Sequence, residues 1–257
     1  MSDSKPRKPA RAAVARAGSA SKGSGSSAPT TDSILAELER LGTKATRDGL
    51  SRYGIVAKKA FGVPVGVLQE LAKRIGRDHE LALSLWSSGW YEARLLASFV
   101  DEPARVTPSQ MDRWARDFDN WGVVDTACFA LFDRTPHALG RVDAWSRREE
   151  EFVKRGAFAL LACVSAHDKG ASEAEFLRRM PLIEAAATDE RNFVKKGVSW
   201  ALRMVGRRSL ACHRAALELA RRLAASKDPT SRWIGKDALR DLSKPAVIAK
   251  LKSRKRP

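Results

Sequence analysis

The sequence predicts an all-α protein, a right-handed α-α superhelix of stacked helical repeats whose inner surface is a concave basic groove. Three observations lead there. The phrase Phe152-Val153-Lys154-Arg155-Gly156 returns 41 residues later as Phe193-Val194-Lys195-Lys196-Gly197, and a looser copy, Trp233-Ile234-Gly235-Lys236, follows 40 residues after that. Strand signals are nearly absent, with no β-branched alternation and no Asn-Gly turn. The 257 residues carry a formal charge of +17, a surplus that calls for a polyanionic partner, most simply nucleic acid.

Residues 1–31 are rich in Ser, Ala, Gly, Lys and Arg, with Asp3 the only acid. They cannot bury a core and read as a disordered basic tail. A DNA-binding tail, a solubilising extension and a transit peptide share that composition. Asp32-Ser33 can cap a helix that runs to Leu41 and stops at Gly42. Pro64 suits the first turn of the next one. Further helices are expected over 80–86, 91–100, 109–118, 121–132, 152–164, 173–187, 193–205, 210–224 and 231–242. The domain is taken as 32–249, with 250–257 as a second basic tail.

The repeated phrase opens the second helix of a pair. Second helices starting at Tyr91, Trp121, Phe152, Phe193 and Trp233 are 30, 31, 41 and 40 residues apart. Paired-helix units of roughly 40 residues read as HEAT-like repeats. The alternative is a non-repetitive helical bundle.

On the helix from Phe193, residues Phe193, Val194, Gly197, Val198, Ala201, Leu202 and Val205 form a buried stripe. Lys196, Trp200, Arg203 and Arg207 fall at i, i+4, i+7 and i+11 on a second face. The helix from Phe152 repeats the scheme, with Arg155 in place of Lys196. Lys236 and Arg240 repeat the spacing in the last unit. Side by side these faces make a basic stripe suited to a phosphate backbone, and Lys154 and Lys195 add charge. For any one helix a solvated polar face is the better explanation; recurrence in register over three helices favours binding. Trp200 among these cations can stack on a sugar or base.

Trp121 and Asp125 share a helical face at i, i+4. On spacing alone, a core Trp beside a locally hydrogen-bonded Asp explains them best. The functional reading is a carboxylate beside an aromatic wall, which suits a positively charged sugar-like transition state. Cys128, Cys163 and Cys212 stand singly in apolar stretches, so disulfides are not expected and a reducing compartment fits. His79, His137, His167 and His213 lack ligand spacing, so neither a metal nor a cofactor is expected. No apolar run approaches a membrane span.

At these residues the chain resembles the bacterial HEAT-like alkylpurine DNA glycosylases of the AlkD type, over roughly residues 34–245. Trp121-x-x-x-Asp125 is similar to that family's catalytic pair. Phe-Val-Lys-Arg at 152–155 puts Arg155 on the family's DNA-contacting arginine. The stretch 193–200 puts Trp200 on its second active-site tryptophan. Tyr91-Glu92-Ala93-Arg94 and Phe61-Gly62-Val63-Pro64 also resemble the family, without an assignable chemistry. Gly122 departs from it, standing where a bulkier or polar residue is common.

The resemblance implies a monofunctional glycosylase that releases cationic 3- or 7-alkylated purines from duplex DNA without flipping the base. Asp125 would stabilise the oxocarbenium character of the sugar, Trp121 and Trp200 would pack on the sugar edge, and Arg155 would hold the adjacent phosphate. It further implies a monomer in the bacterial cytoplasm, at the nucleoid. The rival from another class is a non-catalytic repeat protein that binds damaged or branched DNA. A scaffold for an acidic protein partner is a third reading.

Overall fold

The structure is a computed structural model in which residues 29–253 are described. Among the described residues fifteen α-helices follow one another and there is no strand. They are α1 (Thr31–Leu41), α2 (Lys44–Gly49), α3 (Val65–Ile75), α4 (His79–Ser87), α5 (Tyr91–Val100), α6 (Pro108–Arg116), α7 (Trp121–Ala130), α8 (Ala138–Trp145), α9 (Glu151–His167), α10 (Glu173–Leu177), α11 (Met180–Ala185), α12 (Asn192–Gly206), α13 (Leu210–Ala224), α14 (Pro229–Leu242) and α15 (Pro245–Ser253).

The second helices form one layer, with α3 against α5, then α7, α9, α12 and α14 in turn. Their partners form another: α4 packs on α5, α8 on α9, and α13 on α14. Each repeat thus buries its apolar stripe only against its neighbours, as HEAT-like repeats do. The duplicated phrase sets the register, since Phe152 and Phe193 meet across α9 and α12 with ring centroids 5.3 Å apart. Two helices lie close at Gly235, where a Cβ would sit 2.2 Å from the Ala224 nitrogen. Only glycine lets α14 lie that near α13.

Several boundaries differ from the expected ones. Thr30, not Asp32 or Ser33, caps α1, in a reciprocal box with Ser33. Pro64 is the N-cap of α3 rather than part of its first turn. The single helix expected over 173–187 breaks between α10 and α11. Pro181 has no N–H to bond back into the preceding turn, and the buried Arg179 guanidinium takes the Glu175 carbonyl (2.7 Å) and carboxylate (2.8 Å). The short helices α2 and α8 and the 3-10 turn Leu50–Tyr53 carry too little periodicity to be read. The last helix, α15, includes Lys250 and Lys252 and buries Leu251, so 250–253 are helical rather than tail. Most of the two expected tails, residues 1–28 and 254–257, lies outside the described residues.

The two motifs without assignable chemistry meet each other. Glu92 is fully buried in α5, and its carboxylate accepts the backbone N–H groups of Phe61 (2.9 Å), Gly62 (2.7 Å) and Val63 (3.2 Å). It therefore holds the turn that launches α3. All three cysteines are buried and free. Among the described residues no helix is long and apolar enough to cross a membrane, and no group of three His, Cys, Asp or Glu could hold a metal ion.

Candidate active site

The Asn120 side chain caps α7 by accepting the Val123 N–H at 3.0 Å. That fixes Trp121 at the first helical position and Asp125 one turn further. The Asp125 carboxylate is gripped from α9: Arg155 donates from Nε (3.0 Å) and Nη2 (2.7 Å), a bidentate pair. Arg155 Nη1 also donates to the Phe193 carbonyl at the start of α12 (2.8 Å). The Arg155 side chain is 8% exposed and that of Asp125 22%. Burial pushes the Asp125 carboxyl above its ordinary pKa, and the Arg155 charge and hydrogen bonds offset this only in part.

Arg155 was expected on a phosphate. The structure instead commits three of its five N–H groups to Asp125 and Phe193. The local hydrogen bond that spacing alone suggested for Asp125 is replaced by this cross-helix pair.

An open depression of about 380 Å³ is lined by Asp125, Arg155, Lys196, Ser199, Trp200, Arg203 and Trp233. Five residues singled out from sequence therefore converge there. Trp200 is half-buried, whereas Ala159 holds the matching position of α9 and is fully buried. Trp233, the aromatic of the third copy, is 42% exposed, with Lys195 Nζ 5.1 Å from its ring centroid. Ile234 takes the buried position beside it.

Trp121 does not line this depression, although it shares the Asp125 face of α7. It packs half-buried, and its indole N–H donates to the Tyr53 carbonyl at 2.8 Å. Tyr53 is 71% exposed. It ends the 3-10 turn Leu50–Tyr53, and Gly54 follows with φ +69°, where a Cβ would lie 3.4 Å from the Phe193 ring. A loop from the first repeat thus joins α7 and α12 beside the site. Nothing in the sequence links Tyr53 to Trp121, 68 residues away. Gly122 is explained by its neighbour, because a Cβ there would meet the Tyr91 hydroxyl at 2.7 Å. Burial, with Glu92 and Asp119 nearby, raises that hydroxyl to a pKa of about 12, so Tyr91 is a neutral packing group.

The basic face is not uniformly basic. Arg203 pairs with Asp237, and Arg207 forms a bidentate pair with Asp241 (2.9 and 2.5 Å). Arg240 also binds Asp237, and Lys244 binds Asp241 at 3.1 Å. Two acids one turn apart on α14 therefore ladder to the arginines of α12. Burial pushes both carboxyls up, but the Ser199 hydrogen bond with Arg203 and Arg240, and Arg207 with Lys244, leave each below its ordinary value. Lys154 lies outside the depression and pairs with Asp189 (3.2 Å). Lys196 and Lys236 are exposed, and among the described residues neither has an ion-pair partner.

The fold is similar to a solved structure from a family of proteins related to the HEAT-like repeat DNA glycosylases with affinity for branched DNA structures. The two agree with a TM-score of 0.69 at 21% identity, over 82% of this chain and 95% of that one. No curated protein matches the sequence significantly. A family model described as DNA alkylation repair enzyme matches residues 34–242, which span α1 to α14 and every residue of the depression at Asp125. The chain belongs to the DNA alkylation repair enzyme family.

Proposed function

We propose that the protein is a DNA glycosylase that hydrolyses the N-glycosidic bond of cationic 3- or 7-alkylated purines in duplex DNA, acting as a monomer. One observation carries the reading: a carboxylate, Asp125, is fixed at the mouth of an open, cation-rimmed depression beside an accessible indole face, Trp200. A cationic purine is already a good leaving group, so the enzyme need only stabilise positive charge on the sugar and admit water. Asp125 supplies the negative charge. Trp200 supplies a π-face beside the sugar edge, and Trp121 forms the wall behind Asp125. Arg155 orients Asp125 and opposes its protonation, and its role toward a phosphate would use the two N–H groups left over. Lys196 and Lys236, exposed and unpaired among the described residues, are the first phosphate contacts.

The depression is too open to enclose a base, which supports attack on a base left in the stack rather than flipped. Lys196 is exposed and solvated, so it suits a phosphate better than a Schiff base, and strand cleavage is not part of the reaction. Release of 7-methylguanine from methylated duplex tests the assignment. Wild type releases the base and Asp125→Asn is about 10²–10³-fold slower with DNA binding kept; equal rates would remove Asp125 from the chemistry.

A second reading has one observation in its favour, the affinity of the superposed protein's family for branched DNA. On that reading the protein binds such structures without excision. Tight duplex binding with no base released from any alkylated substrate would establish it.

A further inference from the structure

Beyond Asp125, the same face of α7 carries one more residue. Trp121, Asp125 and Phe129 stand at i, i+4 and i+8, so Phe129 lies about 6 Å further along the helix axis than Asp125. Its side chain is 49% exposed, which no core role requires. The ring is held rather than loose. Its edge meets His167 with centroids 4.9 Å apart at 70°, and His167 Nδ1 is bonded to the buried Asp133.

Beside Phe129 lies a second depression, of about 400 Å³, where the C-terminal ends of α3, α5 and α7 meet. That volume falls within the range of small-ligand sites. Phe99 and Phe129 supply its aromatic surface, and Lys73, Arg77 and Arg134 line it with no carboxylate among them. Arg77 is anchored on the Phe99 and Asp101 carbonyls. Lys73 and Arg134 are exposed; their acidic neighbours are the surface residue Glu70 (2.7 Å) and Asp133 (3.9 Å). A phosphate can replace the exposed Glu70 at little cost, and the exposed Arg134, 3.9 Å from the buried Asp133, can take a second anion on its solvent side.

We propose that this depression binds an unpaired nucleotide of a DNA strand, its base against Phe129 and its phosphate between Lys73 and Arg134. The proposal rests on the reading of the adjoining groove as a DNA site. Duplex backbone alone does not explain it. Backbone phosphates would engage the cations but leave the Phe129 face uncovered, because a duplex stacks its base faces internally. Aromatic surface set among cations is the combination that holds single strands, since every base has a π-face. The absence of carboxylates from the lining fits the same ligand.

The test uses the full chain and three labelled undamaged DNAs of one core sequence: a blunt duplex, the duplex with a four-nucleotide 5′ overhang, and the duplex with a 3′ overhang. Fluorescence anisotropy titrations are expected to show one overhang bound roughly five- to tenfold more tightly than the blunt duplex, the scale of one base stacked on an aromatic side chain. Phe129→Ala and Phe129→Leu should abolish that gain while keeping blunt-duplex affinity and 7-methylguanine release. Lys73→Ala with Arg134→Ala should do the same and flatten the salt dependence of the overhang complex by about one to two phosphate contacts. Equal affinity for all three DNAs would overturn the proposal, as would a Phe129→Ala protein that keeps the gain. Excision from the blunt duplex reports on the glycosylase reading alone, so an overhang gain without excision would sink that reading and leave this one standing.

Discussion

Replacing Arg155 by Met keeps the aliphatic stem that packs against Gly197, with Arg155 Cγ 3.5 Å from where a Cβ on that glycine would be. It removes the guanidinium that opposes protonation of Asp125. Burial then acts on Asp125 unopposed, because both causes that lower its pKa come from Arg155. Two charge-assisted hydrogen bonds, at 2.7 and 3.0 Å, are lost. Each is worth about 1.5–3 kcal/mol when fully shielded. Asp125 retains 22% exposure and water replaces part of them, leaving about 1.5–3 kcal/mol in all. Their loss moves the Asp125 carboxyl further above its ordinary pKa, because burial is the cause that remains.

On the proposed mechanism excision depends on ionised Asp125, so the acid limb of its pH profile should move to higher pH. On that limb each unit is a tenfold loss in rate. Stability carries the matching sign. A carboxyl whose folded pKa lies above its unfolded one favours the folded state at low pH and loses that advantage as pH rises through the window between the two. Adding the lost Phe193 carbonyl bond, about 1 kcal/mol, the variant should melt about 5–15 °C below wild type near neutrality and lose further ground as pH rises through that window. The assay is single-turnover release of 7-methylguanine between about pH 5 and 9, with calorimetry alongside. An Arg155→Met protein that stays folded with its acid limb unmoved would refute the role given to Arg155.

Three further outcomes are expected. Asp237→Asn should release Arg203 from its carboxylate, tighten binding to undamaged duplex and steepen its salt slope by up to about one contact; an unchanged slope means that Arg203 does not reach a phosphate. Trp233→Ala should weaken binding of methylated duplex by roughly fivefold with little change in melting temperature, as expected for an exposed ring used for stacking; a large loss of stability instead would make it a packing residue. Gly235→Ala should cost about 3 kcal/mol, because the new methyl meets backbone atoms of α13 that cannot step aside, and the melting temperature should fall by about 6–12 °C.

The repeat architecture was legible because its signals are local. Period, helix-breaking glycines and apolar stripes placed α5 and α13 at the residues where they lie, and the Phe-Val-Lys phrase gave the register between α9 and α12. The depression was partly legible for the same reason, since Lys196, Trp200 and Arg203 follow from one helix's periodicity. What escaped depends on distance in sequence. Asp237 and Asp241 were visible as residues, yet only the packing of α14 on α12 pairs them with Arg203 and Arg207. Tyr53 reaches Trp121 through a loop with no periodic signal. Trp233 lines the depression without having been singled out for it, because the looser third copy of the phrase does not fix which way its aromatic faces. The last repeat keeps Ile234 inside and turns its aromatic out.

The paired rungs between α12 and α14 bear on how the protein travels. A strand of bare arginines would cling to any stretch of genome and linger there. With Asp237 and Asp241 already in their grip, Arg203 and Arg207 let go of one anion only when another is presented, and both rungs sit on rigid helices at a set separation. If the groove binds DNA as proposed, contact with undamaged DNA would be brief, resting on the exposed lysines, and the firmer hold would be kept for backbone geometries that reach both rungs together. On that reading the acids of α14 would act as a clutch on residence time, letting a strongly basic protein scan rather than stall.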